Sequence, residues 1–383
     1  MTRHRLRYAI EEWRKARIVA SKRRLFEKWV TRLGKYPPSV LIGANFAEFG
    51  GVRNHLRAIQ KHSSLRTELA PTDALLEVVS AHEVANTYRD VFFDFRPPAS
   101  VKAVHSHVFP WFIEWCEKVK GLGPLWVHTY HAPYFPEHAG GNLEPWQAHF
   151  NAVQVNTARH ADIRISVSRW QAQYLRDVHS IESVYVPNGV DVRICDLADG
   201  NRFRRQTDGN DFVLYVGRDD PVKNPDDFVR LAAQLPNLQF VMIGRGLSPG
   251  VLEAHGLALP DNLRVFGEAS HVETMDAIAA SSAVVVTSKR EGLPTLVLEA
   301  MALGKPIVVP NEPGCVEAMG GGDLGYVYDQ SDIDDLVAKT SLAFGDKGGQ
   351  KERRDRVLKE YDWRVVAPQL DAIYSGVKPG NGR

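Results

Sequence analysis

From residue 36 onward, short apolar runs rich in Val, Ile, Leu and Phe alternate with segments in which apolar residues recur every three or four positions. Runs of four to seven apolar residues bounded by turn residues make buried strands, and the three-to-four repeat makes one face of a helix. On that pattern 39–42, 76–79, 101–105, 125–128, 161–167 and 184–186 are strands, and 53–62 and 168–177 are helices, with Ser168 as N-cap. The second half repeats the scheme, with strands at 212–216, 240–243, 263–266, 283–287, 306–309 and 326–328 and helices at 295–303 and 364–374. Strands separated by helices pair in parallel through right-handed crossovers, so the pattern predicts an α/β protein with helices on both faces of its sheets. It divides the chain into an extension at 1–35, a first domain at 36–191, a polar and charged linker at 192–210, a second domain at 211–363, and a terminal helix and tail at 364–383.

The stretch AVVVTSKREGLPTLVLEAMALGKPIVVP, 283–310, is a complete strand, loop, helix and strand, with Gly304 as the helix stop. Its loop, 288–294, therefore falls at the carboxyl edge of a parallel sheet, where open α/β proteins bind ligands. Pro294 suits the helix start, and the N–H groups of Thr295 and Leu296 have no partner within the helix. Those amides and the helix dipole favour a phosphate. Glu291 and Glu299 bracket the same place; two acids would repel a bare phosphate and make sense only if hydroxyl groups lie there too, as in a sugar nucleotide. Gly50 and Gly51 open the helix after the first strand and let backbone amides approach an anion, although the spacing is not GxGxxG and a tight turn needs the same glycines. Arg218 and Lys223 follow the strand 212–216 and could neutralise a departing diphosphate, or form a surface ion pair.

Composition narrows the class. With 383 residues, 44% hydrophobic and 24% charged, the chain is an ordinary folded protein and not a disordered one. Three scattered cysteines specify neither a disulfide framework nor a zinc site, and no apolar run is long enough to span a bilayer or to form a signal peptide behind Arg3, Arg5 and Arg7. A cytosolic protein is expected, with peripheral attachment to the inner face of the membrane left open. Net charge +1 conceals an extension with twelve Lys or Arg against Glu11, Glu12 and Glu27, a local charge of +9. Leu6, Ile10 and Trp13 form one stripe, and Leu25, Phe26, Trp29, Val30 and Leu33 another on nearly the opposite side, so two short helices or a kink near 16–22 are expected. Such an arm could lie on anionic lipid, on its own domain or on an acidic partner. No nucleic-acid partner is expected, because the basic charge is confined to the arm. His105 and His107 alternate at a strand end without a third ligand nearby, which favours strand-end histidines over a metal pair. Tyr130, Tyr134, Phe135 and Trp146, with Gly140 and Gly141, form either an acceptor platform or a loop pinned by its own packing.

Taken together, Glu291-Gly292 and Glu299-Ala300-Met301-Ala302-Leu303-Gly304-Lys305-Pro306, Gly50-Gly51-Val52, Arg218 with Lys223, the strand-end run 126–133 ending in His131, and Pro187-Asn188-Gly189-Val190-Asp191 resemble the retaining family 4 glycosyltransferases of the GT-B fold. The resemblance covers roughly 39–376 and leaves out the first 35 residues. It implies two Rossmann-like domains facing across a cleft, with the terminal helix crossing back to the first. It also implies transfer of a hexose-type sugar from a nucleoside-diphosphate sugar to a hydroxyl of a glycan, glycolipid or small molecule, by front-face attack, with no metal and no cofactor. By the same resemblance His131 points at the reacting sugar while His128 is structural, Glu299 binds the ribose and Glu291 orients the sugar. Arg218, Lys223 and amides at Gly50, Gly51, Thr295 and Leu296 then hold the diphosphate. Pro294 stands where many members carry a second glycine. A GT-B phosphorylase, an epimerase, or a non-catalytic sugar-nucleotide-binding scaffold docked by the basic arm are the alternatives.

Overall fold

Strands β1 (Val40–Ile42), β2 (Thr67–Leu69), β3 (Ala103–Ser106), β4 (Leu125–Tyr130), β5 (Ile163–Ser166) and β6 (Val184–Tyr185) form one parallel sheet in the order β2-β1-β3-β4-β5-β6. Strands β7 (Phe212–Val216), β8 (Gln239–Ile243), β9 (Leu263–Val265), β10 (Ala283–Val285), β11 (Ile307–Pro310) and β12 (Tyr326–Tyr328) form a second, in the order β12-β11-β10-β7-β8-β9. The computed structural model describes residues 3–43, 51–71, 92–132, 134 and 142–377. Helices cover both faces of each sheet, which is why the inner strands carry unbroken apolar runs: β1 is buried at every position, as are β10 and β11.

The strand order places the site before any side chain is considered. In the second sheet the chain runs outward one way through β7, β8 and β9 and the other way through β10, β11 and β12, so the direction reverses between β7 and β10. In the first sheet it reverses between β1 and β3. A crevice opens at the carboxyl ends of the strands at such a reversal. The loops after β7 and β10, and the segments after β1 and β3, are therefore where ligands belong.

Two chain crossings join the domains and pair with each other. Val190 bridges Asp362 in parallel, with its N–H donating to the Tyr361 carbonyl at 2.7 Å and its carbonyl accepting from Trp363 N–H at 3.1 Å. Gly189 is required here because a Cβ would sit 2.6 Å from the Trp363 ring. The helix Trp363–Tyr374 then packs on the first domain, its Val366, Leu370 and Ile373 joining a core with Val40, Ile42, Leu56 and Ile59. Asp371 accepts from Ser63 Oγ at 2.5 Å and Ser64 N–H at 2.7 Å.

Three expectations need correction or placement. The arm is one unbroken helix, Arg3–Lys35, rather than two helices or a kinked one. Its two stripes can point opposite ways because only the later one docks: Trp29 and Leu33 are buried with Phe26 and Val30 against Phe92, Phe95 and Trp115, and Trp29 Nε1 donates to Glu68 at 3.1 Å. Ile10 and Trp13 of the earlier stripe stay exposed, as does Leu25 at the start of the later one. The stretch 192–210 is not a loose linker but includes two short helices, Val192–Asp196 and Gly200–Arg204, folded onto the second domain. Phe203 is buried beside Phe212 and Phe266, and Arg202 grips Asp276 at 2.6 and 2.7 Å. Its polar composition belongs to the solvent faces of these helices. The strand expected at 76–79 lies outside the described residues, whereas β2 was not foreseen because a half-buried Thr-Glu-Leu edge strand has no apolar run to betray it.

Among the described residues, no helix is long and apolar enough to cross a membrane. Truncating a buried indole costs about 3–5 kcal/mol, so Trp29→Ala should release the arm while the two sheets stay folded. Limited trypsin digestion should then cut within 23–35 much sooner than in the wild type; unchanged digestion would mean that the aromatic contacts do not hold the helix.

Candidate active site

On the second domain, the helix Thr295–Ala302 is buried nearly all round, with Val297, Leu298, Ala300, Met301 and Ala302 in the core. The positions left partly open are Thr295, Leu296 and Glu299, which share a face because residues three and four apart are neighbours on a helix. The helix's far end is closed by cations: Arg353 Nε donates to the Gly304 carbonyl at 3.1 Å and Arg354 Nη1 to the Ala302 carbonyl at 2.7 Å. With its carbonyl end neutralised, the helix presents a positive amino end to the crevice. Glu299 Oε1 lies 2.8 Å from His271 Nε2, and this hydrogen bond is the main reason the imidazole is pushed above its ordinary pKa.

The loop after β7 is built around Asp220. Its carboxylate takes the Arg218 guanidinium, with Nε at 2.8 Å, and accepts the Val222 N–H at 2.8 Å. The carbonyls of Lys223 and Asn224 are held by the buried Thr287 hydroxyl, at 3.0 and 2.7 Å, so the backbone carrying Lys223 is tied to the end of β10. The ammonium of Lys223 meets Glu291 Oε1 at 2.5 Å. Four residues from two loops are thus gathered at the β7–β10 reversal: Arg218, Lys223, Glu291 and the helix start at Thr295.

The first domain supplies the opposite wall. Gly51 begins the helix Gly51–His62, and a Cβ built on it would stand 3.9 Å from Thr295 Oγ1, so two helix amino ends face each other across the crevice. Gly50 lies outside the described residues, as do Phe135, Gly140 and Gly141. Tyr134 stands close enough to Arg218 and Asp220 for burial, chiefly, and those charges in opposite senses to set its raised pKa. His131, half-buried at the end of β4, reaches His107 Nδ1 with its Nε2 at 3.1 Å.

What brings the walls together is the loop 290–294. Gly292 packs so close to the His131 carbonyl that a methyl group there would overlap it. Gln171 Nε2 satisfies that carbonyl at 2.5 Å, Trp170 Nε1 donates to the Gly292 carbonyl at 2.9 Å, and Asn188 Nδ2 to the Leu293 carbonyl at 2.7 Å. Glu317 of the second domain accepts the N–H groups of Arg169 and Trp170 at 2.7 and 2.9 Å, capping a first-domain helix from across the boundary.

The histidines divide into two sets. His128 is fully engaged, with Ser106 and Gln154 each at 2.9 Å, and His105 lies between Tyr374 at 2.6 Å and Thr129 at 2.8 Å. Both hold the first sheet together. His55, His107 and His131 form a separate cluster in which one ring nitrogen from each lies within 4.8 Å of the others. Burial lowers all three pKa values, that of His131 to about 4, so these imidazoles are neutral near pH 7. The expectation that His107 lacks a third ligand nearby is thus corrected, because His131 and His55 arrive from other elements. Nothing in the spacing of His55, His271 or Asp220 along the chain marked them. A cavity of about 800 Å³ between Ser39, Lys102, Leu125 and Tyr374 lies at the amino ends of the first sheet, opposite the strand ends that carry His107 and His131.

Residues 200–361 match the family model described as Glycosyl transferases group 1, and residues 87–194 match the one described as Glycosyltransferase Family 4. The chain is 26% identical over 267 residues to the glycogen synthase of Mycobacterium tuberculosis, covering 66% of this chain and 64% of that protein. It is 29% identical over 232 residues to the phosphatidyl-myo-inositol mannosyltransferase of Mycolicibacterium smegmatis, covering 56% and 57%. The chain thus spans somewhat under two thirds of the length of these curated relatives. Its fold matches the sucrose-phosphate synthase of Thermosynechococcus elongatus with a TM-score of 0.74 at 17% identity, over 88% of this chain and 98% of that one. It matches Anabaena HepE in complex with UDP-glucose with a TM-score of 0.68 at 18% identity, over 88% and 99%.

The His271–Glu299 pair has a definite pH signature. A raised folded-state pKa means that the contribution is complete below about pH 6.5, the ordinary histidine value, and is lost as pH rises through the higher folded value. The thermal midpoint of His271→Gln should therefore fall furthest below wild type near about pH 6 and approach it toward about pH 9. A gap that widens with rising pH would show that the pair does not act through the imidazolium.

Proposed function

From the premise that this chain belongs to the GT-B glycosyltransferases of family 4, the glycosyl transferases group 1, we propose that it moves a hexose-type sugar from a nucleoside-diphosphate sugar to a hydroxyl acceptor with retention of anomeric configuration. The observation that carries the reading is the pair of helix amino ends at Gly51 and Thr295, one from each domain, facing the same space beside Lys223. Two positive helix ends beside an ammonium favour an anionic ligand there, with Glu291 offsetting the ammonium until it arrives. A diphosphate between them leaves Glu299 to take the ribose hydroxyls and Glu291 to orient the sugar, the two neutral parts of the donor that a carboxylate can grip. Uridine is the first base to try, since the solved neighbour HepE is in complex with UDP-glucose.

In this reading the bond between the sugar C1 and the β-phosphate oxygen breaks while the acceptor oxygen approaches on the same face. The acceptor proton passes to the departing phosphate oxygen, so no protein base and no metal at the diphosphate is needed. Lys223, Arg218 and the amides at Gly51, Thr295 and Leu296 offset the charge that builds on the leaving group. His131, held neutral by burial, can accept from or donate to a sugar hydroxyl with the ring nitrogen that His107 does not use.

The exposed part of the arm supports a second element. Ile10, Trp13 and Leu25 protrude among Arg14, Arg17 and Arg24, with Arg17 stacked 4.7 Å over Trp13. We propose that this half lies on anionic lipid, where each basic residue near the surface contributes roughly 1 kcal/mol.

Lys223→Ala should lower turnover by at least about 100-fold, the usual scale for losing one group that stabilises transition-state charge, with the thermal midpoint little changed. The readout is acceptor-dependent release of nucleoside diphosphate across a panel of nucleotide sugars. Undiminished turnover in the folded variant would remove Lys223 from the mechanism, and release without any acceptor requirement would favour an epimerase-type elimination or hydrolysis over transfer. For the arm, full-length Trp13→Ser with Arg14→Glu and Arg17→Glu should lose flotation with phosphatidylserine-containing vesicles that the wild type retains; equal flotation rejects the lipid reading.

A further inference from the structure

The cluster of His55, His107 and His131 contains more binding capacity than the sugar-transfer reading uses. His55 is buried and neither of its ring nitrogens has a hydrogen-bond partner among the described residues; the same holds for His107 Nε2. Buried polar atoms normally find partners, and three such nitrogens in one place call for an explanation. The rings are also packed as a group, with centroids 5.1 Å apart for His55 and His131, 5.6 Å for His55 and His107, and 5.3 Å for His107 and His131. They come from three different elements: the helix behind Gly51, the end of β3 and the end of β4.

We infer that His55, His107 and His131 form a three-imidazole site for a divalent transition metal of the zinc class, with the fourth position open to the cleft. Zinc holds imidazole nitrogens at about 2.0–2.1 Å in tetrahedral geometry, which sets neighbouring nitrogens roughly 3.3 Å apart. The His107 and His131 nitrogens already stand at 3.1 Å, and all three fall within 4.8 Å, so closing the set needs a side-chain rotation of His131, which is only half-buried, and of His55. All-nitrogen donation selects zinc, cobalt, nickel or copper over magnesium or calcium, which require oxygen. Imidazoles already neutral need lose no proton to ligate. Metal binding would exchange the hydrogen bond between His107 Nδ1 and His131 Nε2, and one of the two unmet His55 nitrogens, for coordination.

The consequence for catalysis rests on the glycosyltransferase reading: a metal held on His131 takes that imidazole away from the sugar, so occupancy should inhibit transfer. This is distinct from a metal bridging the diphosphate, for which the cluster has the wrong donors.

Untagged full-length protein, dialysed against chelator, should bind one equivalent of Co²⁺ with the visible ligand-field bands of four-coordinate cobalt, and Zn²⁺ should displace it. His55→Gln and His107→Gln should each weaken binding at least about 10-fold, the lower bound found for disturbing even an outer-shell partner of a metal ligand. His179→Gln, outside the cluster, should leave binding unchanged. The variants are compared only after circular dichroism shows native folding. No equimolar cobalt band in the wild type, or full binding in both cluster variants, overturns the site. Equimolar binding by a protein whose metal-free form has no sugar-transfer activity would uphold the metal site while removing the transferase reading, whereas normal transfer with no metal binding would do the reverse.

Discussion

The contact between Gly292 and the carbonyl of His131 is the constraint on which the rest of the site depends. No side chain fits between those two backbones, so the loop after β10 can press against the end of β4 in the other domain. The polar groups trapped in that contact are then met by Gln171, Trp170 and Asn188. Had these carbonyls been left unpaired, each would have carried the penalty of a buried unsatisfied group, about 1–3 kcal/mol. Because they are paired, the closed approach is the stable one, and the helix starts at Gly51 and Thr295 come to face each other as a result. The cap that Glu317 places on a first-domain helix works in the same direction.

Charge in the pocket is arranged so that each ion has a partner within the protein. Lys223 is matched by Glu291, Arg218 by Asp220 and His271 by Glu299. The acids of these pairs are largely buried and the cations more open to solvent. The importance of the pairs is that they hold the groups at the reversal of the sheet, ready to exchange one partner for another. A molecule carrying both a diphosphate and hydroxyl groups is complementary to such a set, since the phosphates can take the cations and the hydroxyls the acids. An anion alone would leave the carboxylates opposed to it, and a neutral sugar alone would leave the cations without use.

The first domain shows how a sheet assembles a cluster from residues that are remote in the chain. β1 and β4 both flank β3, so the helix behind β1 and the ends of β3 and β4 converge on one point. His105 is held by Tyr374 and Thr129 and His128 by Ser106 and Gln154, whereas His107, His131 and His55 cluster with one another. Strand alternation does not separate them, since His105 and His107 share a face with ring centroids 4.1 Å apart; what engages His105 is its pair of hydrogen-bond partners, Tyr374 and Thr129.

The local structure of the second domain was legible without coordinates. The unit 283–310 announces its strand, loop and helix through short-range periodicity, and Thr295, Leu296 and Glu299 must share a helix face whatever surrounds them. The parallel, two-domain α/β architecture followed from the alternation of strands and helices. Tertiary structure alone decided the rest, because it depends on contacts between segments far apart in sequence. Which stripe of the arm docks depends on where Phe92, Phe95 and Trp115 lie, and whether 192–210 is free or packed depends on Phe212, Phe266 and Asp276. Whether His107 stands alone or among other imidazoles depends on the order of strands in a sheet. Hydrophobic spacing reports the face a residue occupies on its own element, but not which element that face will meet.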